Sequence, residues 1–128
     1  VVFDVDEAVS LTGNTGSYLQ YAHARARRIL EKSGASFVMP ITLRDEDYAL
    51  VRKLGEYAEI VELAARQLEP HHSSNYLFEL AQEFNRYYEK NQVIGSEYEQ
   101  HRLGLVGLYA DILQAGLAIL GIHAPSRM

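Results

Sequence analysis

Apolar residues recur along most of this chain at intervals of three and four positions, which is the spacing of an amphipathic α-helix. The longest pattern covers residues 97–120 and places these residues on one face: Leu103, Val106, Ala110, Leu113, Leu117 and Leu120. A second pattern ends near Asn91 and is predicted to bury Tyr76, Leu77, Leu80, Ala81, Phe84 and Tyr88. Because helical spacing dominates, the sequence predicts an all-α fold, a helical bundle of about five to six helices joined by short loops.

Turn-forming residues divide the first part of the chain. We expect a short helix over residues 5–10 and a loop over residues 11–16. A second helix then runs from about Ser17 to Ser33, and Gly34 can adopt the left-handed conformation that ends it. These boundaries predict one long helix, rich in tyrosine and arginine, near the start of the chain.

Capping residues indicate where later helices begin. Thr42 followed by Asp45 resembles a capping arrangement, and the helix that it starts is expected to break or bend at Gly55. Ser96 and Glu99 match the S-x-x-E capping box, which predicts the start of the last helix.

The helix predicted over residues 17–33 carries two separate stripes of side chains. One is an ordinary core face: Leu19, Ala22, Ala26, Ile29 and Leu30. The other lies within an arc of roughly 80° and is expected to be exposed: Tyr18, Tyr21, Arg25, Arg28 and Lys32. Aromatic rings interleaved with arginines suit unstacked bases and the phosphates that join them. A solvated basic face with tyrosines at the margin of the core is the alternative that this spacing leaves open.

Charge is distributed unevenly along the 128 residues, whose formal net charge is −5. Residues 45–69 hold an excess of acidic side chains, whereas residues 17–34 hold mainly basic ones. A basic stripe on an acidic protein favours modest, directional affinity for nucleic acid over indiscriminate binding. The distribution suits a domain that recognises one short loop of a nucleic acid.

Composition narrows the class of protein further. Hydrophobic residues make up 48% of the chain, which excludes disorder and predicts that residues 1–128 form a single domain with its own core. The chain starts at Val1 in a helix-like phrase, so we expect it to be an excerpt from a larger protein. It has no cysteine, which excludes disulfides and fits a cytoplasmic location. No uninterrupted apolar run approaches the roughly 18 residues of a membrane span, so we expect no membrane partner.

Two pairs of neighbouring residues carry further candidate chemistry. His71 and His72 would point about 100° apart on a helix, so they lack the i, i+4 geometry of paired metal ligands. Tyr87 and Tyr88 cannot both face the core from one helix, so we expect at least one of these rings at the surface. An exposed ring there could stack on a base.

Several phrases of the sequence resemble a single family. GNTGSYLQYAHAR, at residues 13–25, resembles the opening of the DALR-type anticodon-binding domain of arginyl-tRNA synthetases, which is all-helical. Three further phrases resemble that family's entry, central and closing helices in the same order: FDVDEAVS, EPHHSSNYLFELAQEFNRYYEKNQVI and RLGLVGLYADILQAGLAILGIHAPSRM. The family usually has proline where this chain has Ser17, and a serine can supply a helix N-cap oxygen there.

The resemblance implies which residues contact the anticodon loop of a tRNA. Those that match a motif of the family are Tyr18, Tyr21, Arg25, Tyr88 and Met128. The first three fit its Y-x-x-Y-x-x-x-R spacing, Tyr88 ends an F-x-x-aromatic-Y phrase, and Met128 matches the family's last residue. Asn14 and Arg28 join this set by geometry and not by a motif.

The resemblance also implies what the rest of the protein supplies. Arginyl-tRNA synthetases resemble other class I synthetases in using HIGH and KMSKS signatures, and neither signature occurs in this chain. The chain is therefore expected to bind the anticodon loop of tRNA-Arg, without a cofactor of its own and without DNA as a partner. A catalytic domain of the same longer protein would use ATP and Mg²⁺ to ligate arginine to the tRNA.

Two other classes of function stay open on the sequence. In a helical protein–protein interaction module, Tyr18, Tyr21 and Tyr88 would be interface anchors, and binding would depend only weakly on salt. A small all-helical enzyme would need a polar pocket with perturbed acids or histidines, and the sequence offers no such cluster.

Overall fold

The computed structural model describes residues 14–33, 42–67 and 71–128, and within these ranges the regular elements are all helices. In chain order the α-helices are α1 Asn14–Ser33, α2 Tyr48–Gly55, α3 Tyr57–Gln67, α4 His71–Lys90 and α5 Glu99–Ile119. A short 3-10 helix, Asp45–Asp47, leads directly into α2. The predicted all-α fold is confirmed for the described residues, while the helix expected over residues 5–10 and the helix end expected at Gly34 lie outside them.

Helix α5 occupies the centre of the bundle. Its predicted apolar face is confirmed by the burial of Leu103, Val106, Ala110, Leu113 and Leu117, although Leu120 is only partly buried. Leu105 and Tyr109 lie outside that face and are buried as well, so the helix is covered on several sides. An 18-residue window of α5 has a mean hydropathy of 1.3, which would suffice for a membrane span, but 61% of that window is buried inside the bundle. Counting uninterrupted apolar runs missed this helix, whose burial is that of a core helix.

Helices α1 and α4 cover α5 and also contact each other, while α2 and α3 pack against α4. The ring of Phe84 on α4 stacks on the ring of Tyr109 on α5, with 4.0 Å between their centroids. Gly116 allows a close approach of the two helices, because a Cβ atom there would lie 2.6 Å from Cδ2 of Leu77. The packing of α1 and α4 on α5 therefore fixes where their outer edges lie.

Helix α1 begins at Asn14, so the loop predicted over residues 11–16 is wrong for residues 14–16. The first amide groups of a helix have no partner within the helix, and turn-forming residues are tolerated there better than in the interior. Ser17 is consequently an exposed residue of the first turn and does not cap the helix. The helix continues to Ser33, the last described residue before residue 42.

Asp47 organises the start of α2 from a buried position. Its carboxylate accepts hydrogen bonds from the amide of Arg44 at 2.8 Å and the hydroxyl of Tyr87 at 3.3 Å, and it pairs with Nε2 of His101 at 2.6 Å. The bond from Arg44 caps the 3-10 helix, so the capping arrangement predicted at Thr42 is wrong. The carboxylate of Asp47 therefore caps the 3-10 helix and also links it to Tyr87 of α4 and His101 of α5. Local sequence spacing does not predict these tertiary contacts.

The start of α5 differs from the capping box predicted for Ser96 and Glu99. The carboxylate of Glu99 accepts a hydrogen bond from the amide of Gly95 at 2.7 Å, one residue before the amide that a capping box uses. Gly95 has a φ of 87°, a conformation that glycine adopts without the steric cost of a side chain. The hydroxyl of Ser96 accepts from the amide of Tyr98 at 3.3 Å, and the helix begins at Glu99 rather than near residue 97.

The burial of Leu113 in α5 leads to the first prediction. We expect Leu113→Ala to lower the free energy of unfolding by about 2–5 kcal/mol, because it removes apolar contacts and leaves a cavity. Ile119→Ala is the matched control on the same helix, where the side chain is 51% exposed and its loss should cost about 1 kcal/mol or less. Denaturant unfolding measures both values, and equal losses would contradict the assignment of faces.

The second prediction concerns the carboxylate of Asp47. Asp47→Ala should destabilise the fold by about 3 kcal/mol or more, because it leaves the Tyr87 hydroxyl and the Arg44 amide without their acceptor. Asp45→Ala, which removes an exposed carboxylate from the same 3-10 helix, is the control and should change stability little. Thermal unfolding of both variants provides the comparison, and a stable Asp47→Ala protein would show that the buried network is dispensable.

Candidate nucleic-acid interface

Helix α1 presents the two predicted stripes, but the second stripe is less exposed than the spacing predicted. The core stripe is buried or partly buried: Leu19, Ala22, Ala26, Ile29 and Leu30. On the other stripe Tyr21 is 52% exposed, whereas Arg25 and Arg28 are partly buried. Tyr18 is partly buried as well, and its ring packs on Phe78 with 5.4 Å between the centroids, so it lies at the margin of the core.

Arg25 is held in place by two residues of α4. Its Nη1 donates to Oδ1 of Asn85 at 3.2 Å, and its guanidinium carbon lies 5.0 Å from the centre of the Tyr88 ring. Nδ2 of Asn85 donates in turn to the hydroxyl oxygen of Tyr18 at 3.3 Å, so this amide links Arg25 to Tyr18. Sequence reasoning missed Asn85. Its position three residues before Tyr88, on the same face of α4, is the signal that could have found it.

The burial of the two adjacent tyrosines of α4 is the reverse of the predicted core pattern, which placed Tyr88 in the core. Tyr87 is 4% exposed, and burial raises the pKa of its hydroxyl, which donates to Asp47. Tyr88, predicted to be buried, is only partly buried, and its ring lies 5.8 Å from that of Phe84. The physical reason is the buried acceptor on Asp47, which allows the polar end of Tyr87 into the core and leaves Tyr88 at the surface.

A cleft of about 670 Å³ opens between α1, the end of α4 and the connection to α5. The residues that line this cleft are Arg25, Arg28, Ile29, Lys32, Tyr88, Gln92, Val93 and Ile94. Its charged lining groups are all cations, so the cleft attracts anions even though the net charge of the chain is −5. A concave site that combines an aromatic ring with cations can hold a planar base and the phosphate beside it.

Residues 121–128 follow α5 and run along α1. Gly121 has a φ of 76°, the left-handed conformation that ends many helices, and the chain turns there. Nε2 of Gln20 donates to the backbone oxygen of His123 at 2.9 Å, and Nδ1 of His23 lies 2.7 Å from the backbone oxygen of Pro125. The side chains of α1 therefore help to determine the path of this segment, whose residues 122–128 we call the tail.

The tail brings Met128 to the side chain of Arg28. The backbone oxygen of Met128 accepts from Nη1 of Arg28 at 3.4 Å, and the side chain of Met128 is 60% exposed. The guanidinium carbon of Arg28 also lies 5.5 Å from the centre of the Tyr21 ring. The structure thus brings Tyr21, Arg28 and Met128 together, next to the cleft that Arg28 helps to line.

The remaining sequence candidates lie at helix starts. Asn14 is the first residue of α1, one turn before Tyr18, and its side chain lies outside the described part of the structure. His71 and His72 are the first residues of α4. Among the residues that the structure describes, no group of three or more histidine, aspartate or glutamate side chains could hold a metal ion.

Comparison with known proteins identifies the family. A family model described as the DALR anticodon binding domain matches residues 19–128, so the chain belongs to the DALR anticodon-binding domain family. Arginine–tRNA ligase from Frankia casuarinae is 44% identical over 99% of the chain, and that from Limosilactobacillus fermentum is 37% identical over 100% of it. The chain spans only 22% and 24% of the length of these two relatives.

A solved structure supports the same assignment. Arginyl-tRNA synthetase from Thermus thermophilus superposes on the chain with a TM-score of 0.81 and 36% sequence identity. The superposition covers 96% of this chain and 23% of the Thermus protein.

Proposed function

We propose that residues 1–128 form one domain that binds the anticodon loop of tRNA-Arg. The observation that carries this proposal is the cleft, in which Arg25, Arg28 and Lys32 lie beside the ring of Tyr88. Membership of the DALR family and the similarity to arginine–tRNA ligases favour tRNA over other nucleic acids.

Each type of side chain would make a different contribution to binding. The rings of Tyr21 and Tyr88 offer faces on which unpaired bases can stack, at about 1–3 kcal/mol per base. Arg25 uses Nη1 for its bond to Asn85 and has further N–H donors for a phosphate or a base edge. The backbone oxygen of Met128 can accept from a base amino group.

Three further residues complete the proposed surface. Arg28 would add a charge between the ring of Tyr21 and the tail. Tyr18 would act mainly through its hydroxyl and through the position of Asn85, because its ring is packed against α4. Asn14, one turn earlier on α1, stays a predicted contact.

We also propose that the chain is part of a longer arginine–tRNA ligase that works in the cytoplasm. The relatives are about four times as long, which leaves room for a catalytic domain. Neither the HIGH nor the KMSKS signature that class I synthetases use occurs in this chain. The ligation of arginine would fall to that other domain, and the share of this chain would be to hold the anticodon loop.

The third prediction separates the contributions of charge and stacking. In the full-length protein, Arg25→Ala should weaken tRNA binding and flatten its salt dependence by about one unit if the guanidinium meets a phosphate, or relax anticodon preference if it meets a base. Tyr21→Ala should weaken binding with little change in salt dependence, because stacking releases no counterion. Filter binding across a salt series, with native and altered anticodons, measures both effects.

The control for this experiment is Arg86→Ala. Arg86 is an exposed arginine of α4 that pairs with Glu83, and it does not line the cleft. Its removal changes the net charge as Arg25→Ala does, so it should leave anticodon preference and most of the affinity intact. If both cleft variants bind and discriminate like the unaltered protein, the proposed surface is wrong. Salt-independent binding of another protein at Tyr21 would instead indicate an interaction module.

A further inference from the structure

The tail depends on α1 for its hydrogen bonds. Residues 122–128 contain no helix or strand, so their backbone oxygens accept hydrogen bonds from side chains or from water. Three side chains of α1 donate to three tail oxygens in order: Gln20 to His123, His23 to Pro125 and Arg28 to Met128. The tail therefore runs in the same direction as α1 and reaches the edge of the cleft at its last residue.

His23 is the buried member of these donors, with 1% of its surface exposed. Its Nδ1 lies 2.7 Å from the Pro125 oxygen, and its Nε2 lies 3.1 Å from Nε of Arg27. Because Nε of Arg27 can only donate, Nε2 of His23 accepts and the ring proton sits on Nδ1, which donates to Pro125. Burial lowers the pKa of His23 against the opposing bond to Pro125, and the charge of Arg27 lowers it further, which agrees with the neutral tautomer that the hydrogen bonds indicate.

Arg27 is itself anchored to α5. Its Nη2 donates to Oε1 of Gln114 at 2.7 Å and to Oδ1 of Asp111 at 3.0 Å. One connected series of hydrogen bonds therefore runs from α5 through Arg27 and His23 to the backbone of Pro125. Arg27 can only donate and the Pro125 oxygen can only accept. Both ring nitrogens of His23 are therefore satisfied only when the ring proton is on Nδ1.

We infer that His23 is a positioning residue that holds the tail on α1 and so keeps Met128 beside Arg28 and Tyr21. The inference rests on the proposed function, because the position of the tail affects binding only if RNA occupies this surface. His23 is buried and cannot touch RNA, so any effect that it has on RNA affinity is indirect, and its bond to Pro125 makes the tail the route that we infer.

Two substitutions of His23 distinguish a residue that positions the tail from one that only contributes to packing, because each keeps a different hydrogen bond of the ring. His23→Asn places an amide N–H near the position of Nδ1, so it keeps a donor for Pro125 and loses the acceptor for Arg27. His23→Gln places its amide near Nε2, so it can accept from Arg27 and loses the donor for Pro125. In the full-length protein we expect His23→Gln to weaken tRNA binding about five- to tenfold, and His23→Asn to keep most of the affinity.

Hydrogen exchange of the tail amides tests the positioning itself, without RNA. His23→Gln should speed exchange in residues 122–128, while His23→Asn should leave it close to that of the unaltered protein. If His23→Gln does not fold, Gln20→Ala takes its place, because it removes the bond to His123 from a partly exposed position. Equal exchange in both His23 variants, together with equal loss of stability, would overturn the inference.

Removal of residues 122–128 shows whether His23 acts through the tail. In the shortened protein His23→Gln should cause no further loss of tRNA affinity. If His23 acted independently of the tail, the fold losses in affinity from the two changes would multiply. Faster tail exchange with unchanged tRNA binding in both His23→Gln and the shortened protein would contradict the role of the tail in RNA binding. Unchanged tRNA binding in Arg25→Ala as well would count against the proposed function as a whole.

Discussion

Helix α5 is apolar on most of its circumference, and such a helix is stable in water only when other helices cover it. Helices α1 and α4 supply that cover, and the close approach of Gly116 to Leu77 leaves little freedom in where α4 lies. Because both helices pack on α5 and on each other, their outer edges border the same cleft. The surface proposed for RNA is in this sense a consequence of how the core is covered.

The cations of α1 have different partners according to the face of the helix on which they lie. Arg27 forms an ion pair with Asp111 and a hydrogen bond to Gln114, both on α5, so its charge is neutralised within the fold. Arg25 and Arg28 face the cleft, and the acidic neighbour Glu31 is paired with Arg127 of the tail at 3.1 Å. This arrangement keeps a local positive potential on a chain whose net charge is negative, which favours a binding site confined to one place.

Periodicity predicted the parts of the structure that repeat every turn, such as the face of α5 and the core stripe of α1. It could not choose between Tyr87 and Tyr88, because a buried partner on a distant helix, Asp47, decided which ring enters the core. The first turn of α1 was missed because local propensity is weak at helix ends. The path of the tail carries no periodic signal, because it depends on partners far away in the sequence, such as His23.

Photo-crosslinking shows directly which residues of the protein contact the anticodon loop. The full-length protein would be bound to tRNA-Arg that carries photoreactive bases in the anticodon loop, and the crosslinked peptides would be identified by mass spectrometry. We expect crosslinks to Tyr21, Arg25, Arg28 and Lys32 of α1, to residues 88–94 and to the tail. Crosslinks confined to α3, or found only outside this chain, would contradict it.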